Sequence, residues 1–100
     1  MNLRFVEAFY WVATLQSVTR AAERLCITQS AMSSRIAVLE CELGTPLLDR
    51  SERRVQLTPA GACFLGHAQH MLTLMRQAQA DTRAAATAPG VLSLDSLETA

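Results

Sequence analysis

Apolar positions return every three or four residues along most of this chain, and that rhythm breaks only near residues 47–58 and 91–100. The first stretch places Leu3, Val6, Phe9, Tyr10 and Ala13 on one side of a helix predicted over residues 3–15. Ser17 follows as an N-cap, since its hydroxyl can accept an orphan amide of the next turn. Val18, Ala21, Ala22 and Leu25 then form the inward face of a short second helix, whose two alanines let another helix cross closely. Cys26 and Ile27 make a tight connection, and Thr28 caps a third helix with Met32, Ile36, Leu39 and Leu43 turned inward. Gly44 suits the C-cap, and Pro46 prevents the helix from continuing.

The period then changes. Val55 and Leu57 alternate with Gln56, which predicts a strand, with Leu48 and Arg50 in its antiparallel partner and SERR as the loop. So short a ribbon is marginal alone and must lean on the helices. Thr58 and Pro59 open a long helix, cap followed by proline at the first helical position, predicted to run to about residue 86. Phe64, Ala68, Met71, Met75 and Ala78 step by four, three, four and three, a heptad seam that Leu65 and Leu72 widen. A helix this long cannot bury its whole length against so small a core, so the seam predicts a partner helix from a second copy. AAATAPG, residues 84–90, ends the helix as a hinge, and Leu92 and Leu94 alternate in a final strand with nothing to pair with.

The predicted fold class is mainly α: a winged helix-turn-helix, made of a three-helix core plus a two-stranded wing, followed by a long dimerising linker helix. Residues 1–58 form the first unit, 59–88 the linker helix, and 89–100 the hinge and first strand of a second domain.

Composition changes this picture in one respect. Net charge is zero and there is no lysine, yet seven of the nine arginines fall before residue 55, at positions 4, 20, 24, 35, 50, 53 and 54. No acid occurs from Arg24 to Leu39, although six acids nearly match the seven arginines over the first sixty residues. Arginine beside an acid-free patch suits bidentate recognition of phosphate or guanine. No apolar run approaches the roughly eighteen residues of a membrane span, and polar residues interrupt MNLRFVEAFY, so neither span nor signal peptide is expected. A cytoplasmic location follows as the expectation.

The acid-free patch is TQSAMSSR, residues 28–35. In a helix-turn-helix the second helix enters the major groove by its N-terminal part. Gln29, Ser30, Ser33 and Ser34 are expected to face away from the apolar stripe, with Arg35 at its margin. Glutamine can pair with adenine, arginine with guanine and serine with either, each good bidentate pair supplying about 1–3 kcal/mol of discrimination. The helix N-terminus at Thr28 also favours a phosphate. Arg50, Arg53 and Arg54 in the wing suit the backbone or minor groove, and Thr19 and Arg20 could touch phosphates.

Taken together, SVTRAAERLCITQSAMSSRIAVLECELGTPLLDR and the later VQLTPAG resemble the N-terminal domain of LysR-type transcriptional regulators. The family pattern is a serine-capped AAxxL helix, a TQ- or SQ-headed recognition helix, IxxLExxLG, an LFxR-like approach to the wing, and an LTxAG linker start. The match keeps its spacing over residues 1 to about 88. The resemblance implies a sequence-specific double-stranded DNA reader, homodimeric through antiparallel linker helices, with further assembly into tetramers. It also implies an effector-binding domain for a small molecule, opening with a strand that GVLSLDSLETA resembles; the chain is then a fragment without that sensor, and no cofactor is expected in it. The family commonly has proline at Ser30 and arginine at Ser34, whereas here the guanidinium comes one place later, at Arg35.

Other functions carry less weight. A helical protein-interaction module would use the long helix, with Met71, Leu72 and Met75 receiving another protein. An enzyme is not expected: there is no Ser/His/Asp grouping, no glycine-rich phosphate loop, and Glu40 and Glu42 point in different directions. His67 and His70 lie three apart, but with no cysteine or carboxylate to complete a ligand set they read as ordinary helix residues, and no metal is expected. Cys26, Cys41 and Cys63 form no CxxC pair; they read as small apolar fillers, with Cys26 the most exposed.

Overall fold

The computed structural model describes residues 1–87. It contains four helices, α1 (Leu3–Leu15), α2 (Val18–Leu25), α3 (Gln29–Leu43) and α4 (Pro59–Thr87), and two strands, β1 (Leu48–Asp49) and β2 (Gln56–Leu57), between α3 and α4. The hinge and strand expected over residues 89–100 lie outside the described residues.

Each helix begins on a side chain that takes an orphan amide. The Ser17 hydroxyl accepts from the Arg20 amide at 3.1 Å, Thr28 from Ala31 at 3.0 Å, and Thr58 from Gly61 at 3.0 Å. Asn2 does the same for Arg4 at 2.8 Å, a cap the periodicity did not reveal. Helix α3 stops at Gly44, whose φ of 73° lets its amide reach the carbonyls of Glu40 and Cys41. Helices α1 and α2 end on Gln16 and Cys26 in the same left-handed region, at φ 54° and 57°, so the turn between α2 and α3 is held despite a β-carbon. The Ile27 amide returns to the Ala22 carbonyl at 3.0 Å and completes that turn.

Helix α1 is the hub, packing against each of the other three helices. Val6, Ala8, Phe9 and Val12 are buried on it, with Ala21 and Ala22 from α2 and Met32, Ile36 and Leu39 from α3. Burying a side chain of the size of Phe9 or Leu39 is worth about 1.5–3 kcal/mol. The α1 stripe differs from the expected one: Leu3 is exposed, Tyr10 and Ala13 are half-buried, and Ala8 and Val12 take their places. The reason is that α1 is enclosed on several sides, so no single stripe describes it.

The ribbon is shorter than expected. Leu48 pairs with Leu57 and Asp49 with Gln56, while Arg50 and Val55 fall outside the strands. What holds so small a ribbon is Leu47, just ahead of β1. Its side chain is buried, and its amide donates to Glu40 Oε2 at 2.6 Å, with the Leu48 amide on the same oxygen at 3.2 Å. Its carbonyl accepts from the Thr58 amide at 3.1 Å. The first turn of α4 presses onto the same carbonyl at Gly61: a β-carbon there would overlap the Leu47 oxygen and lie 3.0 Å from the carbonyl carbon. The Thr58 hydroxyl adds a 2.7 Å bond to the Pro46 carbonyl.

Helix α4 then leaves this body, and the described chain extends 56 Å along its longest axis against 27 and 19 Å across. Two of its glycines should respond oppositely to alanine. Gly61→Ala forces a clash with fixed backbone and should lower stability by about 1–3 kcal/mol. At Gly66 an added β-carbon meets nothing within 4 Å. Gly66→Ala should therefore raise stability by about 0.5–1 kcal/mol through helix propensity. Thermal or urea unfolding of the two variants reads both signs.

Candidate nucleic-acid interface

The start of α3, the first turn of α2 and the loop between β1 and β2 carry the polar residues singled out above. Thr28 caps α3 and uses its hydroxyl on the Ala31 amide. The first two helical residues, Gln29 and Ser30, have no acceptor for their amides in an α-helix, so the tip presents N–H groups and the positive end of the helix dipole. Thr28, Gln29, Ser30 and Ser34 are exposed. Ser33 is not on the outer face as expected: it is half-buried, on the shoulder of the helix beside the Met32 and Ile36 stripe. Successive residues turn by about 100°, so Ser33 lies nearer the core than Ser30 or Ser34. Arg35 is half-buried on the opposite shoulder.

The outermost line of α3 continues from Ser30 and Ser34 to Ala37 and Cys41, all exposed and all short. Val38 is 43% exposed beside it. A duplex could approach this surface closely, because no long side chain stands on it. The two long groups, Gln29 and Arg35, flank the line instead.

Electrostatics favour an anion here through the disposition of the acids. Glu40 is spent on the Leu47 and Leu48 amides, and Glu42 lies 3.7 Å from the chain's terminal ammonium. Asp49 accepts from the Ser51 hydroxyl at 2.6 Å and the Ser51 amide at 2.9 Å. The hydroxyl bond, then the amide bond, hold its carboxyl below the usual carboxylate range, so it stays an acceptor that fixes the start of the wing loop. Among the described residues no arginine forms a salt bridge with a carboxylate. Thr19 and Arg20 are exposed on the first turn of α2, and Arg50, Arg53 and Arg54 are exposed in the loop between β1 and β2. Arg24 is committed elsewhere, its guanidinium 4.3 Å from the centre of the Trp11 ring, where it ties α2 to α1.

Comparison with known proteins decides what such a surface belongs to. Residues 3–62 match the family described as bacterial regulatory helix-turn-helix protein, lysR family. The chain belongs to the LysR family. It is 46% identical over 83 residues to the probable cat1 operon transcriptional activator of Acinetobacter lwoffii, covering 83% of this chain and 27% of that protein. It is also 46% identical over 79 residues to the Hca operon transcriptional activator HcaR of Escherichia coli (strain K12), covering 79% of this chain and 26% of that one. The chain thus spans about a quarter of the length of these relatives. Among solved structures, the BenM_DBD/catB site 1 DNA complex matches with a TM-score of 0.87 at 39% identity, over 90% of this chain and all of that one. The CbnR_DBD–DNA complex matches with a TM-score of 0.80 at 37% identity, over 86% of this chain and 99% of that one. This LysR-family chain is therefore a winged helix-turn-helix DNA-binding domain. No helix among the described residues is long and apolar enough to cross a membrane.

The seam expected to face a second copy is divided. Ala68 and Leu72, at 0% and 2% exposure, are consumed by the chain's own core and cannot meet a partner. Phe64 packs its ring 5.6 Å from that of Phe9, and Leu65 is half-buried against the same core. The cause is α1, which lies along the first half of the seam. Further along the helix Met71 and Met75 are half-buried and Ala78 is exposed. Leu74, 69% exposed, was missed because it stands one step off the heptad line. With Leu3 these four form an open apolar groove along α4. Cys26 is exposed, and Cys41 and Cys63, expected as small apolar fillers, are exposed as well.

Proposed function

We propose that the domain reads double-stranded DNA sequence-specifically, with the N-terminal half of α3 in the major groove and the wing arginines on the backbone or in the minor groove. The observation that carries this reading is the tip of α3: an acid-free surface of short polar side chains with free helix-end amides, flanked by arginines that no carboxylate holds. Gln29 is the base-reading amide, suited to adenine, and Ser30 and Ser34 are hydroxyl donors or acceptors on the groove side. Ser33 acts from the shoulder, where it can reach a phosphate, and Arg35 approaches from the other side. Thr19, Arg20 and Thr28 take backbone phosphates, and Arg50, Arg53 and Arg54 flank the groove. Such a regulator works in the cytoplasm, where its DNA lies.

The same reading makes the domain a homodimer. The support is the apolar groove lined by Leu3, Met71, Leu74, Met75 and Ala78, which one chain leaves uncovered. A second α4 laid antiparallel would cover it and would present two reading heads to two half-sites. Tetramers would require surfaces beyond this helix.

Three measurements test these assignments. Gln29→Ala should weaken binding to a selected site by about 1–3 kcal/mol, roughly 5- to 150-fold, and Ser34→Ala by less, both without moving the unfolding midpoint. Arg53→Ala should instead lower affinity for all sequences alike and reduce the slope of log K against log salt by about 0.9. Wild-type binding in both α3 variants would overturn the reading assignment. For the dimer, Leu74→Glu should raise the dissociation constant seen in sedimentation about tenfold or more, since the carboxylate would be buried unpaired. A dimer indifferent to that change would place the interface elsewhere.

A further inference from the structure

Glu40 gathers four backbone amides of the connection that follows α3. Its main-chain carbonyl accepts from Gly44 at 2.9 Å and Thr45 at 3.2 Å, and its Oε2 accepts from Leu47 at 2.6 Å and Leu48 at 3.2 Å. One residue of the recognition helix thus guides the chain from the end of α3 to the first residue of β1. The path continues into the wing loop. Leu48 pairs with Leu57 across the ribbon, and the Asp49 carboxylate takes the Ser51 amide and hydroxyl, so Arg50 lies between two residues that bond each other. Arg50 is exposed there, and no carboxylate among the described residues holds it.

We propose that Glu40 is a positioning residue for DNA recognition: its carboxylate sets the wing arginines at a fixed place relative to the base-facing side chains of α3, so that both engage one duplex. This role rests on the placement of α3 and the wing on DNA set out above. A helix rises about 1.5 Å per residue, so Ser34 and Glu40 stand about 9 Å apart along one stiff axis. Glu40 is also seven residues beyond Ser33, which returns it to within about 20° of the same side of the helix. The wing is therefore hung from the shoulder of α3 that carries Ser33, opposite Arg35. The two-pair ladder of the ribbon cannot supply that placement, because it ties β1 to β2 and neither of them to α3. A carboxylate oxygen that takes two β1-side amides does, and a charged acceptor holds them more strongly than a neutral one. Glu40 itself is half-buried and engaged, so it acts on the duplex only through the wing.

The test is affinity against salt for a fluorescent duplex carrying a site selected from random sequences. Arg50→Ala should lower the slope of log K against log salt by about 0.9, the share of one phosphate. Glu40→Ala should lower it by at least as much, and Arg50→Ala added to Glu40→Ala should lower it no further. Gln29→Ala should weaken binding by the same factor in either background, because the tip of α3 has not moved. Glu40→Gln keeps an oxygen for the two amides and should stay within about threefold of wild type. Glu40→Asp keeps the charge but falls one methylene short of the amides; it should behave as alanine does, and it takes alanine's place if circular dichroism shows that variant unfolded. A carboxylate that merely repelled the duplex would give the opposite sign, with Ala and Gln both binding more tightly. Tighter binding by Glu40→Ala, an Arg50→Ala effect that persists in full beside it, or a Glu40→Gln as weak as Glu40→Ala would each overturn the positioning role. A slope that Arg50→Ala alone leaves unchanged would overturn the wing contact, and this role with it, so the two failures are told apart.

Discussion

The structure turns on the backbone of one residue, Leu47. Its amide is held by the Glu40 carboxylate from the far end of the recognition helix, and its carbonyl takes the Thr58 amide that precedes α4. The same carbonyl is where α4 touches down through Gly61, which has no β-carbon to keep it away. Three elements are thus fixed to each other through a single residue. A charge-assisted bond to a carboxylate contributes about 1.5–3 kcal/mol, and an orphaned buried amide costs about 1–3 kcal/mol. Those magnitudes are large beside a ribbon of two residue pairs, which could not hold the wing in place by its own ladder.

That arrangement also shapes the electrostatics. The domain has as many acids as bases overall, so attraction to DNA cannot come from net charge. It comes from disposition. Glu40 is turned to backbone amides and Asp49 to Ser51, while Glu42 lies beside the chain terminus. The arginines near the α3 tip and in the wing keep no carboxylate partner among the described residues. A neutral protein can therefore offer a phosphate-binding surface at the acid-free start of α3, while Glu52 shares the wing loop with Arg53 and Arg54.

Much of the fold was legible in the sequence because its signals are local. Capping hydroxyls at Ser17, Thr28 and Thr58, glycine at 44 and the proline at 59 mark helix ends by their own chemistry. The inward residues of α3 follow one period: Met32, Ile36 and Leu39 are buried as expected, and Leu43, the fourth, is half-buried. Legibility failed where a contact depends on distant chain. Glu40 looks like a surface acid until Leu47 returns beneath it. The burial of Ala68 and Leu72 depends on where α1 lies, so a heptad seam shared between the chain's own core and an open groove could not be apportioned from spacing. Ser33 is expected on the outer face, but at about 100° from Met32 it falls on the shoulder and is half-buried.

The central claim is that the outer line of α3 and the wing loop together form the DNA-facing surface, held in register by Leu47. Its most direct test is nitrogen–proton NMR of the labelled domain titrated with duplex at low salt. The account predicts that amides shift at residues 28–38, 19–20 and 50–55, and that the shifts fade together as salt is raised. Shifts confined to the groove face of α4, or spread evenly over the surface, would contradict it.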